Sequence, residues 1–565
     1  MDPHPFGWYS LIPPLTAILL AIVTRRTVLS LFVGILVGGI ILAHGHPLSG
    51  GWIAAKDFIW AKFWEDSKQQ VFAFTLLIGG MIGLVSESGG IRGLVNLIVP
   101  WAYTRVRGQV TTWLMGLLIF FDDYANSLLL GGTMREVTDR LKISREKLAY
   151  IIDSTAAPVS GLALVSTWVA AEIGYIQDGV DQITSGTKPE AFQLFLESIP
   201  YRFYTWWALL LVPLVALLKR DFGPMLTAEV NILRDEGNTS DAPGSNNQHS
   251  QETNWIDRLT SSLSDRFQLK PESPLTSNWV NAAIPVGTLL LVVILVLFYT
   301  GYQKASLETE SPSILQIAGA GESNLALLYG SGISLIVAFF LIAPQRLLSG
   351  KQLGWSIVMG MKSMAPAIFI LWFAAALSAE TAKPSENGLG TAEYLKTMIS
   401  SNLSVEMLPS ATFLLAAAVA FSTGTSWGTM GILAPISISL SHSMLVPEGG
   451  VLDPHDPILL TVVGSVLSGA IFGDHCSPIS DTTILSSQSC GCNHVAHVRT
   501  QMPYAILGAV ASVIAGTLPI GLGVPVFVCH ILGIGVLIGT MYTLGRDAEV
   551  VAAQSLEPAL EVTED

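Results

Sequence analysis

The sequence predicts an all-α polytopic membrane protein with about eleven transmembrane helices plus two opposed re-entrant hairpins, in two inverted-topology repeats with discontinuous helices. Three observations predict it. The 565 residues are 50% hydrophobic and only 13% charged, with a mean hydropathy of +0.53, whereas soluble domains are nearer a quarter charged. Runs of roughly the ~20 apolar residues that a spanning helix needs recur along the chain, at 26–43, 70–86, 281–300, 324–343, 503–521 and 523–545. Finally, the stretch "FDDYANSLLLGG" (121–132) aligns with "FSTGTSWGTMGI" (421–432), and "SESGG" (86–90) resembles "SENGLG" (385–390).

Residues 1–69 hold two helices and an interfacial helix. The run from Trp8 to Val23 lacks preceding basic residues and is followed by Arg25 and Arg26, so it reads as a retained helix rather than a cleaved signal. Lys and Arg favour the cytoplasmic side, which puts the N-terminus outside and the loop at Arg25 and Arg26 inside. In 44–69, Trp52, Ile53, Ile59, Trp60, Phe63 and Trp64 recur at helical spacing among Lys56, Asp57 and Lys62, as on a helix lying at the outer interface.

The first repeat covers 70–219, with a hairpin at 109–131 and a broken helix at 148–175. Were 109–131 a complete crossing, the basic segment "REVTDRLKISREK" (135–147) would lie outside; a hairpin breaking near Asp122 and Asp123 keeps it inside. Residues 220–278 form a cytoplasmic polar loop whose centre, "GNTSDAPGSNNQHSQETN", is linker-like and expected to be disordered. Connecting helices occupy 279–364. The second repeat covers 365–521, with a hairpin at 411–440 and a broken helix at 458–487. Residues 522–565 supply the last helix and an acidic, disordered cytoplasmic tail.

Phe121 with Phe421, Gly90 with Gly390 and Gly131 with Gly431 share an offset of 300, and "DSTAAPVS" (153–160) pairs with "DHCSPISD" (474–481). Five spans separate the units, so they are inverted, the architecture in which a solute or ion binds at the midplane between discontinuous helices. The polar residues at the tips and breaks are Asp122, Asp123, Asn126 and Ser127; Asp153, Ser154 and Thr155 before Pro158; Ser422, Thr423, Thr425 and Ser426; and Asp474, Ser477, Ser480, Asp481, Thr482 and Thr483 around Pro478. This is an oxygen-rich set with no cationic partner in the breaks, suited to a hard cation such as Na+. A carboxylate at the bilayer centre costs about 2.5–3.5 kcal/mol on the lenient scale, which argues for function. Asp122, Ser127, Asp153, Ser422 and Ser426 also stand where they could cap half-helices. His475 is a candidate pH-sensing group; His494 and His497 read as solvated or interfacial.

"FFDDYANSLLLGGTMREVTDRLKISREKLAYIIDSTAAPVS" and "GAIFGDHCSPISDTTILSSQSCGCNHVAHVRTQMPYA" resemble the two signature regions of the NhaC family of sodium/proton antiporters, within the ion transporter superfamily. The resemblance implies a scaffold and a transport domain that move in an elevator-like way, a homodimer in the cytoplasmic (inner) membrane, and Na+/H+ exchange by alternating access. It leaves open Na+-coupled transport of a small organic acid, malate- or lactate-like, or of an amino acid. No cofactor is expected; Na+ and H+ are the transported or coupling ions.

The net charge of −14 and the lack of an arginine-rich pattern argue against a nucleic-acid partner. "CGCNHVAH" does not match structural zinc spacing. "GTSWG" has no evident positioned base for a serine protease, and no P-loop marks an ATP-driven pump, so an enzyme is not expected.

Overall fold

The computed structural model describes residues 5–554 other than 25, 165, 184–187, 235–277, 309–316, 318–320, 383–387, 392–393, 395–403, 447–451 and 479. The chain begins with α1 (Ile12–Thr24) and α2 (Thr27–Leu42). A 118° bend then leads into α3 (Pro47–Ile53), which continues through a π segment, Ala54–Trp60, as far as Phe63. Trp52, Trp60 and Trp64 stay exposed along it, as on an interfacial helix.

The stretch expected to form the first repeat holds α4 (Asp66–Glu87), α5 (Gly90–Ile98), α6 (Arg105–Leu118), α7 (Asp123–Arg140), α8 (Arg145–Leu162), α9 (Thr167–Asp181), α10 (Ala191–Ser198) and α11 (Phe203–Leu218). After α12 (Gly223–Arg234) come α13 (Val280–Glu308), α14 (Ser323–Ile342) and α15 (Gly350–Ser363). The stretch expected to form the second repeat holds α16 (Ala365–Thr381), α17 (Leu408–Thr423), α18 (Ser426–Leu445), α19 (Pro457–Cys476), α20 (Asp481–Cys490) and α21 (His494–Ala511). The chain ends in α22 (Val526–Leu544) and α23 (Ala548–Gln554). Among the described residues eight helices are long and apolar enough to cross a membrane, or up to eleven if each bent pair is one span.

Local chemistry sets the starts of these helices. Ser144 caps α8 by accepting from Lys147 N at 3.1 Å, Ser166 caps α9, and Asp456 caps α19 by accepting from Ile458 N at 2.8 Å. Ser349 and Gln352 form a full capping box on α15. Because α15 is only 14 residues long and carries Lys351 and Lys362, the sequence does not mark it as a spanning element. In the structure it joins α16 in one 32-residue apolar stretch, Gly350–Thr381.

Packing repeats between the halves. Helix α6 lies on α8 as α17 lies on α19, and α7 on α8 as α18 on α19. The exchange is reciprocal: α7 packs against α20 of the other half, and α18 against α9. Each hairpin therefore meets the helix that follows the opposite half's break, which is how two opposed hairpins come to share one midplane.

Two expectations need correction. The segment 153–160 is not a break, because α8 runs unbroken through Pro158 to Leu162. The chain bends by 54° after it, at residues 163–166. Neighbouring helices let a spanning helix keep an internal proline, so Pro158 is no counterpart of Pro478. Secondly, the polar loop and the tail are partly folded: α12 packs on α23, burying Val230, Ala548 and Ala552. "GNTSDAPGSNNQHSQETN" and residues 555–565 lie outside the described residues.

Helices α4 and α15 meet through glycine. A Cβ on Gly360 would stand 2.2 Å from Gly79 O, and one on Gly83 would stand 2.4 Å from Ser356 O. We expect Gly360→Val to destabilise the protein by about 1–3 kcal/mol through forced separation of the helices, read as a lower thermal midpoint in detergent. An unchanged midpoint would refute this close approach.

Candidate ion-binding site

The first tip is the four-residue gap 119–122 between α6 and α7. Asn126 holds it shut by donating Nδ2 to Gly116 O at 2.9 Å and to Ile119 O at 3.2 Å, satisfying carbonyls that end α6. Thr167, at the start of α9, ties the gap to the other break: its N–H donates to Phe121 O (3.1 Å) and its hydroxyl to Asp122 Oδ2 (3.3 Å). Asp123 opens α7, where a negative charge meets the positive end of the helix dipole, and it is buried.

The second tip is Gly424–Thr425, with Gly424 in the left-handed region at φ 69°. Its anchor is Asp474, from the end of α19. Asp474 Oδ2 accepts from Ser426 N at 2.9 Å and also from the Ser426 hydroxyl. The carboxylate thus caps α18 from a different helix. Thr425 adds its own side-chain cap, accepting from Gly428 N at 3.4 Å, and Ser477 donates to Phe421 O at 2.8 Å. The chain crosses closely here because a Cβ on Gly473 would lie 2.5 Å from Ala420 Cβ.

Between the tips the halves are bonded directly. Asp153, fully buried on α8, accepts from Thr483 (3.1 Å), Ser486 (3.2 Å) and Gln501 Nε2 (2.5 Å). Ser127 meets Ser486 at 3.3 Å, and the Tyr124 hydroxyl donates to Asp481. Asp481 also accepts from Thr482 N at 2.9 Å, and Ser480 meets Thr482 through their hydroxyls at 3.0 Å. Asp481 lies within electrostatic reach of Asp123, Asp153 and Asp474. Among the described residues none of these four carboxylates forms an ion pair with Lys or Arg. Asp123 Oδ2, Asn126 Oδ1, Asp474 Oδ1 and His475 Nε2 are buried and have no hydrogen-bond partner among the described residues. His475 is held by Tyr204 through Nδ1 at 2.7 Å.

Some candidates fall outside this set. The hydroxyls of Thr155, Ser422 and Thr423 donate back to carbonyls of their own helices. Ser154 is buried on α8 beside Asp153 rather than in a break. His497 is fully buried, not solvated: its Nε2 meets Gln501 Oε1 at 2.9 Å and its Nδ1 meets Ser487 at 2.8 Å, with His494 next along at 3.1 Å. A hydrogen-bonded chain therefore leads from half-buried His494 to the residue that holds Asp153.

The first break also has a cation that motif reading overlooks. Arg202, buried, donates to Gly161 O, two residues before the break, and pairs with buried Glu172 at 2.6 Å. Arg202 is forty residues from the break in sequence, and only the fold brings it there. Removing one member of such a pair leaves an unpaired buried charge, so Arg202→Met should cost about 3–5 kcal/mol, whereas Arg202→Met with Glu172→Leu should recover most of it. Thermal unfolding of the single and double variants in detergent checks this; a double variant no better than the single one would contradict it.

Two opposed hairpin tips and broken helices enclosing buried carboxylates define a secondary transporter. The profile of the Na+/H+ antiporter family matches residues 159–518, and the chain belongs to that family. It is 34% identical over 511 residues, 89% of each chain, to an uncharacterized protein of Haemophilus influenzae. It is 35% identical over 107 residues, 19% of this chain and 20% of the other, to the Malate-2H(+)/Na(+)-lactate antiporter of Bacillus subtilis. Its fold is similar to that of the YdaH transporter of Alcanivorax borkumensis, with a TM-score of 0.54 and 15% identity over 95% of this chain and 100% of that one.

Proposed function

We propose that this antiporter exchanges Na+ for H+ at the carboxylates between the two tips, with Asp474 as the group that alternates between them. The observation that carries this reading is the pair of orphaned oxygens, Asp474 Oδ1 and Asp123 Oδ2. A buried carboxylate oxygen without a donor is costly, and either a proton or a cation removes that cost. Asp474 is the better candidate because its other oxygen is fixed by Ser426, so the free oxygen has a defined direction. Asn126 Oδ1 supplies a neutral oxygen of the kind Na+ accepts.

Access to the second tip is through a cavity of about 640 Å³ lined by Arg26, Phe32, Phe373, Thr423, Thr425 and Asp481. Charge bias puts Arg26 at the cytoplasmic face of the inner membrane, the N-terminus outside and the C-terminus inside. The same cavity supports a second reading. It is larger than a bare ion requires, and Arg26 suits a carboxylate, so Na+-coupled exchange of a small organic acid or amino acid is the alternative. A homodimer in the lipid bilayer, with no cofactor beyond the transported ions, completes the proposal.

Purified protein in liposomes with a lumenal pH dye tests it. Adding Na+ should change lumenal pH, and Asp474→Asn or Asp123→Asn should abolish the response. Unchanged exchange in both variants would mean that the site is elsewhere. No cation-dependent response in correctly inserted protein, together with Na+-dependent uptake of labelled acids, would favour the alternative. Because protons compete with Na+ for one site, the Na+ concentration giving half-maximal rate should rise as pH falls, with the maximal rate preserved. A maximal rate that falls at constant half-saturation would contradict competition.

A further inference from the structure

We propose that Glu380 is a second proton-binding carboxyl, loaded from the outer side and separate from the cation site; this rests on the exchange reading above. Glu380 lies on α16 and is fully buried, and neither of its carboxyl oxygens has a hydrogen-bond partner among the described residues. Its head lies directly on the backbone of α2. A Cβ on Gly38 would stand 2.1 Å from Glu380 Oε2 and 2.5 Å from Oε1, so only glycine there leaves room for the acid.

Among the described residues no counter-charge is bonded to it. Helices α1 and α2, both packed on α16, carry no titratable side chain within their spans. The other elements packed on α16 carry Glu172, Tyr175, Asp178 and Asp181 (α9), Lys56 and Asp57 (the π segment), Lys62, His442 (α18), Asp66, Lys68 and Glu87 (α4), and Lys351 and Lys362 (α15). Of these, Glu172 is paired with Arg202, Asp178 with Lys68, and Lys62 with Glu65. A charged carboxylate in such a place would be strongly disfavoured, and it is stable there as the neutral acid. A sodium ion requires several oxygens at once, whereas a proton requires only one. The ligand class is therefore H+ and not Na+.

A cavity opens one helical turn along α2 from the glycine that Glu380 covers. This cavity, of about 710 Å³, is lined by Leu42, Asp57, Lys62, Asp178, Asp181 and Ser378, among others. Leu42 is one helical turn from Gly38 along the same face of α2, whereas α16 and its C-cap line the cavity through Ala375, Ser378, Ala379 and Ala382, on the face turned away from Glu380. The lining holds three acids against one lysine, a balance that concentrates cations, protons included. Charge bias assigns this face to the outside. A proton taken from outer water onto a Glu380 oxygen would stay until the seam between α2 and α16 opens to water, which gives the exchanger a proton store on the side from which protons enter.

The test uses the full-length protein, wild type, Glu380→Gln and Glu380→Met. Infrared difference spectra should show a protonated carboxylic-acid band in the wild type that is lost in both variants and kept in Asp474→Asn. In liposomes with lumenal pH fixed, the Na+-driven rate should vary less with outer pH in the variants than in the wild type, the remaining dependence coming from competition at the cation site. Half-saturation for Na+ in thermal stabilisation should not change, and Glu380→Met should fold, since an apolar side chain suits a site for a neutral acid. Retention of the band, or unchanged dependence on outer pH, would overturn the proposal, as would loss of folding in Glu380→Met. Absence of any cation-driven pH change in the wild type would overturn the exchange reading instead, with the infrared band still reporting on Glu380.

Discussion

The bond between Asp474 and Ser426 is the interaction on which the site depends. A chain that breaks its helices inside a membrane leaves backbone N–H and C=O groups that lipid cannot satisfy. Here a carboxylate from the end of α19 satisfies the N-terminus of α18, so the second tip and the second break are one unit. Asn126 and Thr167 do the equivalent work in the first half, closing α6 and joining the first tip to the first break. Each tip is thus held by a residue, Asn126 or Asp474, that also carries an oxygen without a partner among the described residues, so an ion bound there as proposed would disturb the bonds that keep the tips in place.

The two halves match in helix order and in packing, yet their chemistry differs. The first half contributes buried Asp122, Asp123 and Asp153, while the second contributes buried Asp474, exposed Asp481 and a series of hydroxyls. Asp153 spends its oxygens on Thr483, Ser486 and Gln501 across the seam, so it holds the halves together. Asp474 and Asp123 each retain an oxygen without a hydrogen-bond partner among the described residues. The division of labour is between a carboxylate that is fully bonded and two that are not, and buried polar networks of this type are costly when left incomplete.

The hairpins are legible in the sequence because polar pairs such as Asp122–Asp123 and Thr423–Gly424–Thr425 interrupt apolar runs, and because basic residues 135–147 forbid a full crossing. The first broken helix is less legible. Pro158 looks like a break, but the helix tolerates it, and the actual gap at 163–166 carries no polar cluster comparable to the one around Pro478. Arg202 and Glu172 escape notice, and His497 is misread as solvated or interfacial, for a different reason. They stand at ordinary positions in sequence, and only packing reveals that one serves a carbonyl beside the break and another reaches Gln501. The α12–α23 contact is hidden because short amphipathic helices in charged segments look like loops until a partner is known.

The central claim is that Na+ and H+ compete for one carboxylate set. Calorimetric titration of Na+ into the purified protein, repeated in buffers of different ionisation enthalpy, counts protons released on binding. Competition predicts release of about one proton per Na+ at pH values where the site is protonated, falling to none as pH rises. Na+ binding with no proton release at any pH would contradict the account.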